Sequence, residues 1–191
     1  LIINIRGTSG SGKSTLVRKL MSCYGGQRIA VKTNGRRQPI GYMLERKGES
    51  RPLAVIGHYE TTCGGCDTIS KMEVIFDNVR KAHEIGHDVV FEGLLISADV
   101  NRTVELWRYA QEQGCPMLVV ALDVPLQVCL DSVNARRRER NPDLPPVNPR
   151  NTESKHKGVQ QSMRRLEAAG VPAVSLDRDA ALARIRAELG L

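Results

Sequence analysis

No stretch of this chain approaches the ~20 consecutive apolar residues of a membrane-crossing helix, and no secretory leader is expected before its first apolar strand. The expected setting is therefore the cytoplasm, with no membrane partner. Cysteine is sparse and odd in number: Cys23, Cys63, Cys66, Cys115 and Cys129, mostly in apolar segments. That argues against a disulfide framework and suits reduced thiols. A second Cys-x-x-Cys is missing, so Cys63-x-x-Cys66 falls short of the four ligands of a zinc site, and His58, His83 and His87 follow no regular spacing. Asn-Lys-x-Asp, which would specify guanine, is also lacking, and 191 residues leave no room for a translocase motor. No repeat or linker divides the chain, so residues 1–191 are expected to form a single domain.

What is present is ordinary in bulk and unusual in one place. Hydrophobic residues make up 41% and charged residues 26%, as in a soluble globular protein, but the net charge is +7. Such an excess points to a polyanionic partner, nucleic acid or free nucleotide. The unusual place is Gly7-Thr8-Ser9-Gly10-Ser11-Gly12-Lys13-Ser14-Thr15, which matches the Gly-x-x-x-x-Gly-Lys-Ser/Thr phosphate-binding loop. A chain of this length matches that pattern by accident roughly one time in a hundred. The context fits as well: Leu1 to Ile5 reads as a buried strand, and Leu16, Leu20 and Cys23 recur at helical spacing after it. Gly7, Ser9, Gly10, Ser11, Gly12 and Thr15 would aim backbone and hydroxyl donors at phosphate oxygens. Lys13 would reach the terminal phosphates, and Ser14 would hold Mg²⁺ through its hydroxyl.

Strands and helices alternate along the rest of the chain. Arg28–Lys32, Asp88–Glu92, Met117–Asp123 and Ala173–Leu176 join the first strand to give a mostly parallel, five-stranded sheet covered on both faces. Helices are expected over Lys71–Gly86, Asn101–Gly114, from Pro125 into the arginine run, over Glu153–Ala169 and from Ala180. Two insertions stand out. Pro39–Met43 and Leu53–Tyr59 flank a polar turn and suggest a β-hairpin within an insertion of about 36–70. The proline-rich stretch Asn141–Asn151 should be irregular, within a segment of about 136–155.

Phosphoryl transfer to a hydroxyl needs Mg²⁺ and a carboxylate near the attacking oxygen. Glu92 ends the buried strand Val89-Val90-Phe91-Glu92, where it would orient a metal-bound water or take the proton. Asp67, in Cys63-Gly64-Gly65-Cys66-Asp67, is the second candidate, with Gly64 and Gly65 permitting close approach of an acceptor. Asp123 ranks below both, since Asp123-Val124-Pro125 suits helix capping. Trp107, among Val104 and Leu106, reads as core.

The layout of Arg136, Arg137, Arg138 and Arg140 behind Leu122-Asp123-Val124-Pro125 resembles the lid of nucleoside monophosphate kinases. That resemblance implies an ATP-dependent kinase with a three-layer α/β sandwich and an arginine-rich lid closing over ATP. Arg136 and Arg140 share a helix face and are its candidate catalytic arginines. The P-loop with Ile2-Ile3-Asn4-Ile5-Arg6, together with Gly57-His58-Tyr59-Glu60-Thr61-Thr62-Cys63-Gly64-Gly65-Cys66-Asp67, resembles small bacteriophage kinases that phosphorylate 5-hydroxymethyluracil within DNA. The resemblance implies ATP as donor, DNA as acceptor and action in the host cytoplasm. The hairpin residues Arg46, Lys47 and Arg51, the pair Arg36-Arg37 and the lid would track a phosphate backbone. Tyr59 is the candidate to stack on a flipped base. The residues alone leave open a kinase for a free nucleotide or metabolite. They leave less room for a non-catalytic DNA-binding module, which would not require Lys13, Ser14, Glu92 and the arginines together.

Overall fold

The computed structural model describes residues 1–24, 27–33, 35–45 and 51–191. Within them one sheet contains β1 (Ile2–Arg6), β2 (Arg28–Val31), β3 (Gly41–Leu44), β4 (Leu53–Ile56), β5 (Asp88–Glu92), β6 (Met117–Leu122) and β7 (Ala173–Leu176). Their spatial order is β2-β3-β4-β5-β1-β6-β7. β4, β5, β1, β6 and β7 are mutually parallel, whereas β2 and β3 extend the edge antiparallel.

The parallel core thus has the expected five strands, with one exchange. Arg28–Val31 was expected inside it and lies at the edge, while the hairpin arm Leu53–Ile56 takes the inner position. Burial explains the exchange: Leu53-Ala54-Val55-Ile56 is apolar throughout and fully buried, as a strand covered on both faces must be. Arg28-Ile29-Ala30-Val31 is largely exposed and carries a charge, which an edge tolerates. The hairpin is therefore part of the sheet, not an excursion from it.

Successive strand residues point to opposite faces, and two apolar layers follow. Ile3, Ile5, Val90, Val120 and Leu122 pack against Leu16, Val17 and Leu20 of α1 (Lys13–Ser22) and Ala181 and Ile185 of α7 (Arg178–Glu188). Ile2, Val89, Phe91 and Val119 meet the other layer. It comprises α2 (Met72–Glu84), α4 (Asn101–Glu112) and α6 (Pro149–Ala168), through residues such as Phe76, Leu106 and Leu166. A short helix missed by periodicity, α3 (Leu94–Ala98), follows β5 directly. Among the described residues no helix is long and apolar enough to cross a membrane.

The segment about 136–155 is more ordered than its prolines suggested. α5 (Leu126–Arg140) is followed by α6 from Pro149, whose first turn is capped by the Asn148 side chain accepting from the Arg150 amide. Between them the chain folds back on α5: Asn134 Oδ1 accepts the Val147 amide at 2.8 Å, and Arg137 Nε donates to the Pro145 carbonyl at 3.0 Å. Asp123 does not cap α5, whose N-cap position is Pro125 and which has no side-chain cap.

At the end of β1 a buried polar cluster locks the layers together. Arg6 is fully buried, and its guanidinium donates to Asn4 Oδ1, the Ser97 carbonyl, Ser162 Oγ and Thr103 Oγ1. Burial lowers its pKa to about 10, against the raising effect of Asp99. Every named partner comes from a different element, so one cation fixes α3, α4 and α6 onto the strand that carries the glycine loop.

Candidate active site

β1 lies between β5 and β6, so the loop after it emerges at the crevice where the connections part to either side. The register Ile5↔Glu92 brings the β5 carboxylate level with the last residues before that loop. Sheet topology alone thus puts the two strongest sequence candidates together. They share a cavity of about 540 Å³ lined by Ser9, Gly10, Gly12, Lys13, Ser14 and Thr15 on the loop side. Asp67, Glu92 and Leu94 line it as well.

The glycine pattern has a local cause at Gly10. Its φ is +82°, and a Cβ there would sit 2.2 Å from the Cys129 carbonyl oxygen of α5. Gly7 and Ser11 do not line the cavity. The Gly7 amide donates to Ser97 Oγ at 3.1 Å, and Ser11 Oγ is buried without a hydrogen-bond partner among the described residues. Lys13 lies along the loop, its Nζ donating to the carbonyls of Gly7 at 2.7 Å and Thr8 at 3.2 Å. Burial lowers its pKa, opposed first by Glu92 and then by Asp67.

Ser14 Oγ donates to Glu92 Oε1 at 2.7 Å. Glu92 is 1% exposed, and burial raises its pKa; Lys13 and the Ser14 hydrogen bond pull the other way. These two oxygens are hard donors of the type Mg²⁺ takes. Among the described residues no three His, Cys, Asp or Glu side chains gather as a metal cage. The donor set fits an ion that keeps its waters and phosphate ligands and takes only one or two oxygens from protein.

The Cys63–Asp67 loop closes over this pair. His58 and Gly65 exchange backbone hydrogen bonds at 2.9 and 2.8 Å, which folds the loop back onto the end of β4. Gly65 has φ +93°, and a Cβ would meet Glu92 Oε1 at 2.5 Å, so only glycine lets the loop lie against the carboxylate. Asp67 Oδ1 then accepts the Leu94 amide at 2.7 Å, tying the loop to the start of α3. Gly64 and Cys63 also line the cavity.

Three expectations are corrected. Tyr59 offers no stacking platform: it is 5% exposed, with its ring in the core 6.3 Å from Tyr42 and tilted by 55°. Arg140 is exposed and does not line the cavity, whereas Arg136 does. Arg51 donates to the Gly86 carbonyl at 3.3 Å, beside the first residues of β4 and β5, and so stands at the far end of the sheet from the cavity. The thiols of Cys63 and Cys66 are both free: Cys66 is buried and donates to the Ile56 carbonyl, while exposed Cys63 meets Arg136 Nη1 at 3.8 Å. Arg36 does approach the loop, donating to the Thr68 carbonyl at 3.2 Å, and Arg37 beside it in sequence is exposed. Arg46 and Lys47 lie outside the described residues.

Two arginines escaped the sequence reading. Arg18, one helical turn after Ser14, lines the cavity and donates to the carbonyls of Tyr59 and Thr61. Its i+4 spacing from Ser14 was the available signal. Arg178, at the start of α7, reaches back to the Ser11 carbonyl at 2.8 Å and the Gly10 carbonyl at 3.2 Å. Nothing local in sequence marks a contact spanning 167 residues.

Against known proteins, the family described as the AAA domain matches residues 2–167. A protein of Pseudomonas phage PaMx11 named 5-hmdU DNA kinase is 50% identical over 185 residues, covering 97% of this chain and 95% of its own length. A protein of the same name from Pseudomonas phage M6 is 27% identical, again over 97% of this chain and 95% of its own. Among solved structures, deoxyadenosine kinase from M. mycoides with bound dATP matches at a TM-score of 0.50 and 13% identity across 100% of both chains. A chain of the PezAT toxin–antitoxin system of Streptococcus pneumoniae matches at 0.54 and 16% identity, over 94% of this chain and 67% of that one. At such identities the structural likeness speaks for the fold alone.

Proposed function

The chain belongs to the family of phage 5-hmdU DNA kinases, and we propose that it transfers the γ-phosphate of ATP to the hydroxymethyl oxygen of 5-hydroxymethyluracil in DNA. The observation that carries this reading is the single cavity in which Lys13 and Ser14 face Asp67 and Glu92. A phosphate cradle and two carboxylates are the parts that phosphoryl transfer to an alcohol needs.

In this reading the amides of the loop 7–15 and Lys13 hold the β- and γ-phosphates, and Arg136 neutralises charge as the phosphoryl group moves. Ser14 and Glu92 would hold Mg²⁺, which would supply positive charge to the phosphate oxygens. Asp67 faces the acceptor. The bond between the γ-phosphorus and the β–γ bridging oxygen breaks, a bond from that phosphorus to the hydroxymethyl oxygen forms, and the hydroxyl proton passes to the Asp67 carboxylate. Gly64, in the cavity wall, leaves the base room to approach that carboxylate, while Gly65 lets the loop lie against Glu92. Arg36 and Arg37 meet the flanking phosphates, and the reaction takes place in the cytoplasm of the infected host.

The test is direct. Labelled γ-phosphate is offered with hydroxymethylated DNA, unmodified DNA and free 5-hydroxymethyldeoxyuridine side by side. Label is expected in the hydroxymethylated DNA and absent from the unmodified strand. Efficient labelling of the free nucleoside, with none in DNA, would overturn the assignment in favour of a small-molecule kinase.

A further inference from the structure

Leu95 is the most solvent-exposed large apolar side chain among the described residues, 68% exposed. It directly follows a residue of the cavity wall in sequence. Its neighbour Leu94 lines the cavity and gives its amide to Asp67 Oδ1 at 2.7 Å. The turn beneath it is held on every side. The Ser97 amide and hydroxyl both donate to the Gly93 carbonyl, at 3.0 and 2.7 Å, Ser97 Oγ accepts the Gly7 amide, and Ile96 is buried in the core. α3 therefore pins three of its five residues to the protein and projects one apolar side chain outward from a rigid base. Ile85, 65% exposed, is its nearest rival, but it ends α2 just before β5 begins, at the opposite end of the sheet.

The hydroxymethyl group of a paired base projects from C5 into the major groove, but a cavity of about 540 Å³ holding Asp67 has room for a base and not for a duplex. The base has to leave the stack, and its departure opens an apolar gap between the neighbouring bases. Proteins that distort duplexes commonly fill such gaps with leucine, isoleucine or phenylalanine. We propose that Leu95 is the wedge that enters the base stack as the target base turns into the cavity, making it a positioning residue specific to paired DNA. The inference rests on the acceptor being a base in DNA, and it adds a prediction that this reading alone does not make: Leu95 should matter for duplex and not for single strands.

The experiment compares wild type, Leu95→Ala and Leu95→Met on one hydroxymethyluracil oligonucleotide, supplied single-stranded and annealed to its complement. Leu95→Ala should lower kcat/KM about tenfold on the duplex, and change it by less than about twofold on the single strand. Leu95→Met, still apolar and long, should restore most of the duplex rate. A 2-aminopurine beside the target should brighten when wild type binds the duplex and stay quenched with Leu95→Ala. Equal losses on both substrates, or no loss on the duplex, would overturn the wedge while leaving the kinase assignment intact. Absence of wild-type transfer to either form would overturn the assignment itself, and the wedge with it.

Discussion

The Ser14 hydroxyl and the Glu92 carboxylate meet at 2.7 Å, closing the first turn of α1 onto the end of β5. The contact is long-range in sequence and short in cause: β1 and β5 are parallel neighbours, and the glycine loop turns α1 back over their shared end. Glu92 is thereby kept in a nearly dry site, where its charge is costly to the fold and valuable to an ion or a proton.

That trade predicts opposite effects on activity and stability. Glu92→Gln should lower turnover by roughly 10²–10⁴-fold. Burial raises the Glu92 pKa above the ordinary 4.5, so the folded state favours the protonated form. The stability this contributes is present at low pH and lost as pH rises through the folded-state pKa. Glu92→Gln, which never ionises, should therefore melt above wild type, with a gap that widens from acid to neutral pH. Wild-type turnover should fall as pH drops through the same raised pKa. A melting difference independent of pH would show that the buried charge is not the cost described.

Lys13 is buried, and among the described residues its Nζ donates only to backbone carbonyls of its own loop. Lys13→Ala should abolish transfer while moving the melting temperature by a few degrees at most, since no distant element loses a partner. Full turnover in a normally folded Lys13→Ala protein would remove the phosphate cradle from the mechanism.

How much of this was legible beforehand depends on whether a feature is local. Gly7 to Thr15 announces itself because backbone geometry, charge and hydroxyl are all needed within nine residues of chain. Glu92 was readable because a carboxylate ending the run Val89-Val90-Phe91 has to sit at the rim of a buried strand. Tyr59 misled because its neighbours in sequence are polar and glycine-rich, whereas its ring follows the β4 strand into the core. Arg178 was invisible, because its contact with the loop exists only once β7 and α7 have packed. The exchange of Arg28–Val31 for Leu53–Ile56 was readable in principle. An uninterrupted apolar tetrapeptide belongs inside a parallel sheet and a charged one at its edge.

The arginine run should divide sharply. Arg136 borders the cavity and reaches Cys63, whereas Arg140, one turn on, is exposed and outside it. Arg136→Ala should cost at least about tenfold in kcat, as expected for a donor that meets charge only in the transition state. Arg140→Ala should stay within about twofold of wild type. Equal mild effects would make the whole run a solvated helix end.

Asp67 should separate the two substrates. Asp67→Asn keeps an oxygen able to accept the Leu94 amide, so α3 stays in place. Turnover should fall by roughly 10²-fold or more with KM for ATP nearly unchanged. Survival of both turnover and acceptor affinity would make the glycine loop structural and move the acceptor site elsewhere.

The last prediction concerns which charges meet DNA. Arg36 stands beside the acceptor loop through its bonds to Thr68, and Arg37 is exposed next to it in sequence. Arg51 is bonded to Gly86 at the opposite end of the sheet. Each phosphate contact contributes about 0.9 to the slope of log affinity against log salt, through release of a counterion. Reversing Arg36 or Arg37 to Glu should therefore flatten the slope by about one unit, and Arg51→Glu should leave it unchanged. The KM for ATP should be indifferent to all three. A slope that responds to Arg51 and not to Arg36 or Arg37 would place the DNA across the wrong end of the sheet. It would also separate the phosphate track from the cavity that Asp67 lines.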